Sequence, residues 1–123
     1  MKQIEIKTHA EIKFTDQDNL NTKHLIQMIL NKIPNGGFTL KDIQLRDKIE
    51  KGMNDTKEGF PILLEDAYFE ELHKLAKEMQ WPVRDIFIAD FVEGLKDVKS
   101  INAANLTDIK PSENGKKKEL HKA

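Results

Sequence analysis

Glu70 and His73 stand three residues apart, a spacing that sets both side chains on one face of a helix. Di-iron bundles use Glu-x-x-His to converge two ligands on one metal, but they need two such motifs and further carboxylates. This sequence has one, so a solvated helix face beside Leu72 is the expected role, and a metal-dependent enzyme built on Glu70 and His73 ranks last. Asp90 lies in the most apolar stretch of the chain. A carboxylate there must be paired (with Arg46, for example), protonated, or on the narrow polar stripe of its helix with Glu93 and Asp97. The stripe is expected. Gly36-Gly37 precedes a helix start but lacks the glycine spacing and lysine of a phosphate loop, which leaves helix punctuation. The four histidines, His9, His24, His73 and His121, fall in four different segments. They form neither a Ser/His/Asp order nor a zinc spacing. Lys116-Lys117-Lys118 is a short basic run broken by Glu119, as a solubilising tail would be. Tyr68, Phe69 and Trp81 are expected to pack a junction between helices. No enzyme, metal site or cofactor is expected.

The composition agrees. The chain has 123 residues, of which 38% are hydrophobic and 33% charged, with net charge −1. Such a length holds one domain. The charged share exceeds the usual value of about 25%, which implies a wet surface over a modest core. A phosphate-tracking protein usually carries a clear positive excess, and this one does not. There is no cysteine, which excludes disulfides, thiolate metal sites and a cysteine nucleophile. The N-terminus alternates charged and apolar residues, unlike a signal peptide. The apolar stretch near Ile86 is too short and too charged to span a membrane. A cytoplasmic protein of a bacterial or phage-infected cell is expected.

The elements follow from periodicity. Ile4, Ile6, Thr8, Ala10, Ile12 and Phe14 occupy alternate positions against Gln3, Glu5, Lys7, His9, Glu11 and Lys13. That is the pattern of a strand with one buried face. No turn residue interrupts it, so one long strand is favoured over a hairpin. Asn21 or Thr22 caps a first helix carrying Leu25, Ile26, Ile29, Leu30 and Ile33. Pro34 to Gly37 stops it. Thr39 with Asp42 makes a capping box for a second helix through Ile43, Leu45, Ile49 and Met53. Phe60 to Leu64 is a short edge strand or an extended approach, because Pro61 bars a central strand. A third helix carries Phe69, Leu72, Leu75, Ala76 and Met79. A fourth begins near Val83, and its nearly all-apolar first turns predict a central place. From Glu65 to Lys99 there are nine acidic and five basic residues, an acidic face. After Lys99 the apolar pattern fails, and the residues offer too little burial to offset their ordering entropy. The expected organisation is one mostly helical α+β domain over residues 1–99 and a disordered basic tail over residues 100–123.

A strand of about twelve residues is long for a small domain and needs partners for its backbone groups. Phe60 to Leu64 is too short to cover it. The strand folds back, pairs with the same strand of a second copy, or adds to the sheet of another protein. Two of these three make the protein an assembly component. Ile4, Ile6, Thr8, Ala10, Ile12 and Phe14 are therefore the candidate interaction residues, with a second copy as the favoured partner. The order strand–helix–helix over residues 1–54 resembles ribbon-helix-helix regulators, whose paired strands enter the DNA major groove. The acids Glu5 and Glu11 on the outward face would repel phosphates, so DNA binding ranks second. Phe38 to Asp42, Leu63 to Phe69 and Gln80 to Val83 together resemble small, poorly characterised proteins of tailed phages and prophages. That resemblance covers residues 20–98. It implies a role in assembly or regulation and carries no site residue.

Overall fold

A computed structural model describes residues 1–100; the expected tail, apart from Ser100, lies outside the described residues. The described residues form an α+β fold in which three short strands precede four helices, with two further strands among and after the helices. β1 (Lys2–Ile4) and β2 (Thr8–Lys13) share the N-terminal segment, and β3 (Asn19–Asn21) follows. Then come α1 (Thr22–Asn31), α2 (Leu40–Asn54), β4 (Ile62–Leu64), α3 (Asp66–Glu78), α4 (Ile86–Gly94) and β5 (Lys99–Ser100).

The single long strand is not what forms. The alternating segment divides at Glu5 to Lys7 between two sheets. β1 lies in the middle of an antiparallel sheet ordered β4-β1-β5, with Ile4 opposite Ile62 and Lys2 opposite both Leu64 and Ser100. β2 forms a hairpin with β3. The alternation also slips. The Asn19 side chain donates to the carbonyls of both His9 (2.7 Å) and Ala10 (3.1 Å), where the register shifts. Between the Thr8–Asn21 and Lys13–Asn19 pairs β2 advances five residues and β3 two, and an odd excess exchanges a strand's inward and outward faces. His9 thus turns inward, while Thr8 and Ala10 are exposed.

The helices start where their caps stand. Asn21 accepts from the His24 amide at 3.2 Å, and Thr39 from the Asp42 amide at 3.1 Å, both as reciprocal capping boxes. Gly36 and Gly37 adopt φ of +83° and +90° in the turn that ends the α1 region, a conformation that costs other residues a steric penalty. Pro61 is followed by β4 on the sheet edge, where its missing amide is harmless.

The main core joins Ile4, Ile62 and Leu64 of the sheet to Ile26 and Ile29 of α1, Ile49 and Met53 of α2, and Phe69, Leu72 and Ala76 of α3. Gly52 allows α2 to press on β4, since a Cβ there would lie 3.0 Å from Leu64 Cδ2 and 3.3 Å from the Leu63 carbonyl. A smaller cluster of Leu20, Leu25 and Ile88 lies beneath the hairpin. Trp81 packs against both clusters, Tyr68 against the main one, and Phe69 belongs to it, so the aromatic junction forms as expected. Two expectations fail. α4 is peripheral rather than central: Ile88 is its one buried residue and Ile86 is 73% exposed. Ile33, just past the end of α1, and Ile43, in the first turn of α2, are also exposed.

Candidate functional site

A groove of about 360 Å³ opens between sheet and helix at the exit of β1. One wall is the end of β1 and the link after it, with Ile4, Glu5 and Lys7. The opposite wall is α4, whose Phe87, Phe91 and Gly94 line it. These positions are four and three residues apart, so they share one helix face. Val98 and Lys99, leading into β5, close a third side. Asp90 and Asp97 also line it and bring negative charge. Asp90 is exposed, as expected for the polar stripe of its helix, and that stripe borders the groove.

The groove's position follows from strand pairing. β5 covers only Lys2 and Gln3 on its side of β1. Beyond that register the chain enters Glu5 and Ile6, which belong to no ladder among the described residues. At Lys7 it is held again, where Lys7 N donates to Thr22 Oγ1 at 2.9 Å and Thr22 N donates to the Lys7 carbonyl at 2.9 Å. A strand edge that opens into an apolar trough has the geometry of strand addition. Gly94 leaves open space there: a Cβ would meet nothing within 4 Å.

The candidate interaction residues are not gathered on one face. Ile4 is buried in the main core and Ile6 packs against that core, whereas Ile12 packs against the smaller cluster. Thr8 and Ala10 are exposed. Phe14 is 45% exposed and stacks on His24, ring centroids 3.9 Å apart. Only Ile4 reaches the groove. Phe87, Phe91 and Gly94 were missed, although their helical spacing in the sequence is a usable signal.

The other candidates take structural roles. Glu70 is exposed, and His73 is half-buried with its ring 5.9 Å from that of Phe69. Among the described residues no group of three His, Asp or Glu side chains is placed to hold a metal. Arg46 does not pair with Asp90. It is buried, and its Nη1 donates to the carbonyls of Ile29 (3.0 Å), Leu30 (2.9 Å) and Lys32 (2.9 Å) at the end of α1. Its guanidinium also lies 5.0 Å from the Phe38 ring centroid. No described helix is long and apolar enough to cross a membrane. No protein-family model, no curated protein and no solved structure matches the chain.

Proposed function

We propose that the protein is a non-catalytic assembly component of a bacterial or phage-infected cell. Its N-terminal strand docks an extended segment of a second copy in the groove between β1 and α4. The observation that carries this is the unpaired continuation of β1 into an apolar trough walled by Phe87 and Phe91.

The occupant's chemistry is set by the walls. Aromatic side chains call for apolar residues, and Glu5, Asp90 and Asp97 outnumber Lys7 and Lys99. Residues 101–123 supply Ile101, Leu106 and Ile109 with five lysines against three acids. Direction favours the segment of a second copy. β5 runs antiparallel to β1 and its last residue, Ser100, lies opposite Lys2, whereas the groove opens toward the other end of β1, beside Glu5 and Lys7. A reciprocal exchange between two copies closes on itself with two-fold symmetry.

Light scattering tests the reading. The full chain is expected to be dimeric at micromolar concentration. Deleting residues 101–123, or filling the groove with Gly94→Leu, is expected to give monomers. Gly94 has φ −66°, so a leucine fits its backbone. A labelled peptide of residues 101–123 should bind the truncated protein and not its Gly94→Leu version. A monomeric full chain with no peptide binding, or a dimer that survives both changes, overturns the proposal.

A further inference from the structure

We infer that the β2–β3 hairpin is a pH-sensitive flap, held shut by the neutral rings of His9 and His24. His9 Nδ1 accepts the backbone N–H of Glu11 at 2.9 Å and that of Ile12 at 3.1 Å. His24 Nδ1 accepts the N–H of Asn21, the last residue of β3, at 3.1 Å. A ring nitrogen that accepts carries no proton, so both rings are fixed with hydrogen on Nε2. Protonation converts each Nδ1 into a donor facing donors. Three hairpin amides then lose their acceptors; the Glu11 bond is exposed, whereas those of Ile12 and Asn21 are partly buried, where an unpaired amide costs more.

The charged groups around the rings do not act alike. Asp85, the N-cap of α4, places Oδ1 3.3 Å from His9 Nε2. The same carboxylate also accepts the Phe87 amide at 2.8 Å. Glu11 and Lys13 flank His9 on its own strand with opposite charges. Asn19 of β3 is neutral and binds the His9 carbonyl. The Phe87 ring stands edge-on to His9 at 5.3 Å. For His24, burial lowers the pKa below its ordinary value, and Asp18 in the hairpin loop opposes this with a smaller effect. Lys23 is its neighbour on α1. Because the folded pKa is depressed, the stability that neutral His24 contributes is complete above about pH 6.5. It is lost as pH falls through the lower folded value.

The hairpin has something to uncover. Leu20 on β3 and Ile12 on β2 close over Leu25 and Ile88, a cluster distinct from the main core, with Trp81 packed against it. Release of the hairpin leaves that apolar surface exposed while the main core stays intact. Trp81 is the single tryptophan, so its emission reports the event.

The test follows the full chain between about pH 7.5 and 5, the histidine window. Trp81 emission should shift to the red with a midpoint below about 6.5. Protection factors at Glu11, Ile12 and Asn21, each referred to the intrinsic exchange rate at its own pH, should fall at least about tenfold, the equivalent of one pKa unit of coupling. The double variant His9→Asn, His24→Asn keeps an acceptor near each Nδ1 position without titrating, and should be silent in that window. Nitrogen NMR of the wild-type rings is independent of the variant and should find hydrogen on Nε2 of both at pH 7.5. An Nδ1–H tautomer on either ring, a wild-type chain that does not change across the window, or an unchanged midpoint in the double variant overturns the inference.

Discussion

Arg46 illustrates what one side chain does when buried. Its guanidinium donates to three carbonyls at the end of α1, where intrahelical partners run out; the Ile29 carbonyl also accepts the Lys32 amide at 3.2 Å. It also places positive charge at the negative end of the helix dipole. Arg46→Met keeps much of the volume and removes the donors. We expect a loss of about 2–3 kcal/mol, since hydrogen bonds from charged groups are worth more than neutral ones and the carbonyls would stay buried. Urea denaturation measures this, and an unchanged midpoint would refute the capping role. The sequence does not disclose the contact, because Arg46 and its acceptors are 14 to 17 residues apart. The caps at Asn21 and Thr39 were legible, because each cap bonds an amide three residues away and is written within one turn of sequence.

At the scale of elements, α4 shows where a hydrophobic pattern misleads. Its residues are nearly all apolar, which predicts burial on every side. In the fold only Ile88 is buried, Phe87 and Phe91 line the groove, and Ile86 faces outward. Apolar character states what a residue tolerates, not what surface the fold brings to it. Two substitutions separate the cases. Ile86→Ser should change stability by no more than about 0.5 kcal/mol, as exposed positions do. Ile88→Ala should cost about 2–4 kcal/mol, because it opens a cavity between α4 and Leu25. Thermal denaturation of both variants side by side decides, and equal losses would put α4 back in the core. β2 carries the related lesson. The alternation from Ile4 to Phe14 fits one strand or two, since period two records which face is wet and not which partner lies alongside.

For the whole molecule, the two apolar clusters predict unequal stability across the fold. The main core ties α1, α2 and α3 to β1 and β4. The smaller cluster ties the hairpin and α4 to α1 through three buried residues. Local opening follows the amount of buried contact. Hydrogen exchange at neutral pH should therefore show α1, α3 and β1 amides opening only with global unfolding, while β2 and β3 amides open at lower free energy. Equal protection throughout would mean that the clusters unfold as one unit. The same division bears on the proposed assembly, because the groove lies between the main sheet and α4.

The α+β class, four helices, the caps of the first two, the glycine turn and the edge character of the strand after Pro61 were all legible in the sequence. Each of these depends on residues within about one turn or one pleat of each other, where spacing and chemistry act directly. Only the tertiary structure decided that the opening segment splits between two sheets, that β5 leaves part of β1 uncovered, and that His9 turns inward. Those outcomes depend on pairings such as Lys2 with Leu64 and Ser100. Contacts across that much chain form when the core packs, and no local pattern names the partner.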